Sequence, residues 1–181
     1  MRSAAIVLLA LLSTDPPAAP AVKAPASPVA PFGSAWQALV GDWTAEGEGT
    51  PGAGSGAASF RFDLGGNVLV RRSSSDTPAA DGRPAAHHED LLVFSPAPSR
   101  DQASAVYFDN EGHVIRYSAA WSPDGRVLTM VSVDAADTPR YRLTYTVLTP
   151  DRTSVSFEIA PPGSTAYRRY VGGVMHRAPA R

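Results

Sequence analysis

Four consecutive residues, His87 to Asp90, form the densest group of potential metal ligands in the sequence. In an extended strand successive side chains point to opposite faces, so His87 and Glu89 share one face while His88 and Asp90 share the other. A mononuclear metal site needs at least three converging ligands, and only two converge on either face here. We therefore interpret this segment as the polar start of a strand after a loop.

A second candidate for chemistry is His113, which follows the turn at 110–112 and shares a strand face with Tyr117. A histidine in this position could hydrogen-bond a ligand or serve as a general base. The alternative is a histidine at the rim of the fold, satisfied by the turn backbone or by Asp109. Both interpretations stay open at this point.

The residue types present exclude several classes of chemistry. The 181 residues include no cysteine, which excludes thiol nucleophiles, disulfides and cysteine metal sites. The only lysine is Lys23, outside the expected domain, which argues against Schiff-base chemistry. With 16 basic and 17 acidic residues the net charge is −1, which excludes a charge-driven nucleic-acid binder. No Gly-x-Ser-x-Gly elbow occurs, and the Gly-rich stretch 52–56 lacks the lysine of a phosphate loop.

The elements that must position these residues are short β-strands separated by regularly spaced turn signals. Residues Ser34 to Val40 precede them and predict one short helix. Turn residues with Gly, Pro, Asn and Asp favour tight reversals between successive strands. The predicted strands are 43–49, 57–64, 67–75, 86–94, 103–109, 113–121, 126–134, 139–148, 153–160 and 165–176.

About ten strands with nearest-neighbour connections predict an all-β fold, an up-and-down antiparallel β-barrel with one short N-terminal helix. Closure into a barrel removes the exposed sheet edges that such a meander would otherwise leave. A two-sheet sandwich is the main alternative.

Alternation along the strands predicts which side chains face the interior. Apolar residues share one face in the strands at 57–64, 113–121, 139–148 and 153–160, whereas 67–75, 86–94 and 126–134 are ambiguous. If Arg72 points inward, it is a buried cation that needs a partner or an anionic ligand. The predicted ligand-binding residues are Phe60, Phe62, Arg72, His113, Tyr117, Tyr145 and Phe157.

The N-terminal residues predict export. Arg2 precedes an apolar run of nine residues, which small residues and prolines follow, as in a secretory signal peptide. Nine apolar residues are too few to span a bilayer, which needs about 20. We expect a signal peptide at 1–19, a Pro/Ala-rich linker at 20–32, the barrel domain at 33–177 and a tail at 178–181. The predicted location is the periplasm or the extracellular space.

The segment Gly41-Asp-Trp43, placed after a short helix and before a strand meander, resembles the opening of calycin-type barrels: lipocalins, fatty-acid-binding proteins and nitrobindins. Its continuation Glu46-Gly-Glu-Gly49, with Pro51, looks most like the opening of nitrobindin-like haem barrels, although Ala45 stands where that opening has Gly. The stretch from Val106 to Tyr117 is similar to a hairpin in small exported bacterial barrels. The resemblance covers roughly residues 36–177.

This resemblance implies a barrel with Trp43 as a plug at one end and a central cavity for a mostly apolar ligand. Nitrobindins hold haem through a histidine near the C-terminus, and His176 is the only candidate here at a matching place. The competing interpretation is an exposed histidine at the end of the last strand.

The sequence therefore predicts an exported barrel that binds a small hydrophobic or amphipathic molecule, without a nucleic-acid partner or membrane span. Three alternatives remain. One is a haem barrel with His176 as ligand, and another is a cyclase, isomerase or hydrolase that uses His113 with a nearby acid. The third is a structural or interaction barrel without a ligand.

Overall fold

The computed structural model describes residues 32–49, 54–80, 82, 84–133 and 137–179. The predicted signal peptide and all of the linker except Phe32 lie outside this part of the chain. Within it, ten antiparallel strands follow one another in sequence. Their bounds are β1 Gly41–Gly49, β2 Gly54–Asp63, β3 Val68–Thr77, β4 Ala86–Pro96, β5 Gln102–Asp109, β6 Val114–Trp121, β7 Val127–Ser132, β8 Arg140–Thr149, β9 Arg152–Ala160 and β10 Arg168–Arg177.

The sheet is a closed up-and-down barrel in which each strand pairs with its sequence neighbours. The ring closes where β1 pairs with β10, in a register that aligns Trp43 with Arg177 and Gly49 with Val171. The predicted ten-stranded antiparallel barrel is thus confirmed, with each strand within three residues of its predicted ends. Among the described residues, no helix has the length and apolarity needed to cross a bilayer.

The predicted N-terminal helix is not an α-helix. Residues Ser34–Ala38 instead form one short 3-10 helix without a side-chain cap, which makes only the tight hydrogen bonds of that geometry. This 3-10 helix is held against the barrel by Trp36, which inserts between barrel side chains and is fully buried.

We call the end of the barrel that this 3-10 helix covers the closed end. Trp36 contacts Phe94 and Trp121 edge-on there, at ring-centre distances of 5.3 and 5.9 Å. Trp43 is buried beside them, and its indole N–H donates to the carbonyl of Leu39 at 2.8 Å. The opposite end, where β1–β2, β3–β4, β5–β6, β7–β8 and β9–β10 connect, is the open end.

Strand β3 corrects one expectation about the interior. Leu69 and Arg71 are buried, whereas Arg72 is exposed on the outer face. Both faces of β3 carry apolar residues, so alternation alone did not fix the register. Leu69 and Arg71 pair with the buried Phe94 and Leu92 of β4, and this pairing places them inside.

Candidate functional site

The candidate site lies in the open half of the barrel and has a charged floor. Arg71 of β3 donates one Nη to the hydroxyl of Tyr145 on β8, a strand on the other side of the interior, and the other Nη to Asp90. Ser73 donates its hydroxyl to the second oxygen of Asp90 at 2.6 Å. These contacts form a bridge across the barrel that separates the packed closed end from the open end.

The floor keeps its charges because the two ions are paired. Arg71 and Asp90 are both buried, and an isolated buried charge would be very unfavourable. Burial would lower the pKa of Arg71, but Tyr145 and Asp90 beside it outweigh burial and raise that pKa. Burial raises the pKa of Tyr145, so its hydroxyl stays neutral and accepts from the guanidinium.

Polar side chains extend from this floor to the rim along β4, β5 and the turn between β5 and β6. His88 Nε2 lies 2.9 Å from the hydroxyl of Tyr107, and that hydroxyl donates to Asp109 at 3.2 Å. Asp109 in turn lies 2.9 Å from His113 Nδ1. His88 Nδ1 also lies 3.2 Å from Glu111 at the exposed rim. We call the set Ser73, His88, Asp90, Tyr107, Asp109 and His113 the polar wall.

The carboxylate of Asp109 organises this wall. Its side chain is only 4% exposed, and it accepts from the backbone N–H groups of Glu111 and His113 as well as from Tyr107. Burial alone would raise the pKa of Asp109, but the bonds from His113 and Tyr107 outweigh it and lower that pKa. Burial, together with the nearby charges of Asp90 and Asp109, raises the pKa of Tyr107, which therefore acts as a neutral donor.

Three rings line the opposite side of the open end, and we call them the aromatic wall: Tyr141, Phe157 and Tyr170. Tyr141 and Phe157 are stacked with ring centres 5.8 Å apart, and Tyr170 meets Phe157 edge-on at 6.2 Å. A bulge in β10 between Arg169 and Val171 makes room for Tyr170. Bulges of this kind re-aim a side chain at the rim of a barrel.

Glycines occupy the open-end stretch where β10, β1 and β2 pair. Gly47 is aligned with Gly173 on one side and with Gly54 on the other. A Cβ added at Gly47 would meet nothing closer than the carbonyl oxygen of Gly172 at 3.8 Å. A depression of about 760 Å³ opens beside it, lined also by Thr77 and His87. The open end therefore has space on the side formed by β1 to β4, beside Gly47.

The predicted ligand-binding residues fall into different places. Phe60, Tyr117 and Tyr145 are buried core residues, and Phe62 packs against Phe32 at the closed end. Phe157 belongs to the aromatic wall, and His113 belongs to the polar wall. Their roles in binding stay predictions.

His113 and Arg72 lie at the periphery. The side chain of His113 is 62% exposed and contacts Asp109, which matches the rim alternative given above. Arg72 lines a groove of about 850 Å³ on the outer face of β1–β5, together with Leu91 and Phe108.

The two metal-related expectations can also be placed. His88 and Asp90 face inward while His87 and Glu89 are exposed outside, as the alternation predicted. No group of three ligating side chains suited to a metal ion occurs among the described residues. His176 is exposed next to the buried Met175, so a haem held by it would lie outside the barrel interior, and haem binding stays a prediction.

Sequence reasoning missed Arg71, Asp90 and Tyr107 as site residues. One signal was available: Tyr107 and Asp109 share a face of the predicted strand 103–109, as His88 and Asp90 do in 86–94. Antiparallel pairing of these strands brings the polar faces together.

No protein-family model matches the sequence, and no curated protein matches it. Solved structures do match. Rv2717c from M. tuberculosis superimposes with a TM-score of 0.58 at 16% identity, covering 82% of this chain and 99% of that one. The S-type phycobiliprotein lyase CPES from Guillardia theta gives a TM-score of 0.55 at 9% identity, covering 81% of this chain and 92% of that one. At these identities the likeness shows the barrel fold alone.

Proposed function

We propose that this chain is a calycin-like barrel that binds one small amphipathic molecule at its open end. The observation that carries the proposal is the pairing of the polar wall with the aromatic wall above the Arg71–Asp90 floor. Small-molecule sites are mostly apolar with a few placed polar groups, and this arrangement has both parts.

The fold supports the proposal without deciding it, because similar barrels host unrelated functions. The name of the Guillardia theta structure assigns lyase activity to that protein. In this chain the argument depends on the side chains of the open end. The predicted signal peptide supports a further proposal, that binding takes place in the periplasm or outside the cell.

Titration with N-phenyl-1-naphthylamine, an uncharged dye whose fluorescence rises in apolar surroundings, tests the proposal on the full chain. We expect one saturable site. Gly47→Phe places a ring at the open end, where the structure leaves room for a side chain, and should weaken dye binding at least about tenfold.

The matched control is Thr44→Phe, which adds the same ring to the exposed face of the same strand. This variant should keep the dye affinity of the unmodified chain. Equal loss in both variants, or a dye that does not saturate, would contradict binding at the open end.

A further inference from the structure

The chemistry of the floor restricts which polar group a ligand can place there. An arginine inside a barrel would ordinarily attract a carboxylate, because its planar donors match that anion. Here Asp90 already occupies the guanidinium, and Ser73 donates to the same carboxylate. The positive charge at the floor is therefore neutralised within the protein.

One donor of the floor remains unused. The side chain of Arg71 is buried, with the residue only 8% exposed. Its Nε is buried too and has no hydrogen-bond partner. Three other buried side-chain atoms among the described residues share this state, Trp121 Nε1, Thr153 Oγ1 and Tyr167 Oη, and none of them belongs to a charged group. An unpaired buried donor destabilises the fold, and more so when it is charged, so this position calls for an oxygen acceptor.

The charge around the unused donor disfavours an anion. Arg71 and Asp90 cancel, while Asp109 and Glu111 add two negative charges. The two side chains that contact these acids are His88 and His113, whose combined charge cannot exceed the two negative charges. The polar wall and its rim are thus neutral at most and otherwise negative.

We infer that the ligand carries an uncharged, oxygen-bearing polar group, of the alcohol class, and not a carboxylate. An alcohol oxygen accepts from Arg71 Nε–H, and its own proton can be donated to Asp90, which keeps lone pairs for it. The alkyl or aromatic body then lies against the aromatic wall. This inference rests on the proposed binding function and names the class of ligand.

Three compounds with the same ten-carbon chain test it by displacing N-phenyl-1-naphthylamine from the full chain: 1-decanol, decanoate and decyltrimethylammonium. We expect 1-decanol to displace the dye at a concentration at least about tenfold lower than either ion. Decanoate as effective as the alcohol would overturn the inference. That holds also if Arg168 at the opposite rim is the residue that binds the carboxylate. Decyltrimethylammonium as the strongest competitor would overturn it too, because this cation has no oxygen for Arg71 Nε.

Charge variants sharpen the test. Asp90→Asn leaves Arg71 without its anion and should improve decanoate competition about tenfold or more. Because Asp90→Asn alters a buried pair, Glu111→Gln at the exposed rim serves as a second charge variant. It should improve decanoate competition about twofold. Glu89→Gln removes an exposed carboxylate from the outer face of β4 and should change nothing. No gain for decanoate in a folded Asp90→Asn protein, or in Glu111→Gln, would count against the inference.

The outcomes separate the two proposals. If the dye does not bind the unmodified chain, the proposed function fails and the inference falls with it. If the dye binds and decanoate competes as well as 1-decanol, only the inference about the polar group fails.

Discussion

The two ends of the barrel are built on opposite principles. At the closed end, Trp36, Trp43 and Trp121 are buried with Phe94, and the indole N–H groups of Trp36 and Trp43 reach backbone carbonyls. At the open end, ionisable side chains form a continuous network, and the rings of the aromatic wall stay partly accessible.

This difference teaches how the molecule separates stability from binding. Aromatic side chains bury large apolar areas, so the buried tryptophans of the closed end contribute strongly to packing. The open end can then keep charges, an unpaired donor and exposed rings that a small core alone would not tolerate. Variants at the two ends should therefore affect different measurements.

Trp36→Ala is expected to have the largest effect on stability. It removes the side chain that seals the closed end and should lower the free energy of unfolding by about 3–5 kcal/mol. Urea denaturation checks this value. Binding of N-phenyl-1-naphthylamine to the folded fraction should not change, because Trp36 lies on the far side of the Arg71 bridge.

Tyr170→Ala is the matched change at the open end. Tyr170 is 39% exposed, so its removal should cost under about 1 kcal/mol of stability and yet weaken dye binding. If both variants changed both properties equally, the separation between the two ends would be wrong.

Asp109→Asn should have an intermediate effect that depends on pH. The lowered pKa of Asp109 means that its ionised form stabilises the folded state above the unfolded pKa of about 3.9. That contribution is lost as the pH falls through the lower folded pKa. We expect a loss of about 1.5–3 kcal/mol at pH 7, measured by urea denaturation. The gap to the unmodified chain should narrow below about pH 4, and a gap that is constant across pH would exclude this cause.

Arg61→Ala should have the smallest effect. Arg61 pairs with Asp42 at 2.7 Å, but their side chains are 52% and 60% exposed. Such surface pairs contribute about 0.2–1 kcal/mol, and salt screens them. A thermal shift measured in low and high salt checks this value. A loss of stability comparable to that of Trp36→Ala would mean that the pair does more than a surface ion pair.

Much of the fold follows from turn chemistry and alternation. The turns placed all ten strands, because Gly, Pro, Asn and Asp mark reversals directly. Alternation placed Tyr117, Tyr145 and Phe60 inside correctly, since one face of each strand is clearly apolar. The shift from Arg72 to Arg71 shows where this reasoning ends. In β3 both faces carry apolar residues, and a slip of one residue reverses every side chain.

The candidate site was less predictable because it depends on contacts across the barrel. The bond from Arg71 to Tyr145 joins residues 74 positions apart in the chain, on strands that do not pair. Local patterns contain no information about such a contact. The exposed position of His113 likewise depends on how far its turn extends past the rim.

The pairing of β1 with β10 has a consequence for how the chain folds in time. Arg177, the last residue of β10, donates to the carbonyls of Ala38 and Val40, which lie 139 and 137 positions earlier, and its guanidinium stacks on Trp43 at 4.4 Å. Contacts of such sequence separation slow folding, because the long loop between them must be ordered first. During synthesis the ring cannot close until the residues of β10 that pair with β1, 171–177, are available. We therefore expect chains that end before β10 to persist as open sheets, exposed to aggregation and proteolysis.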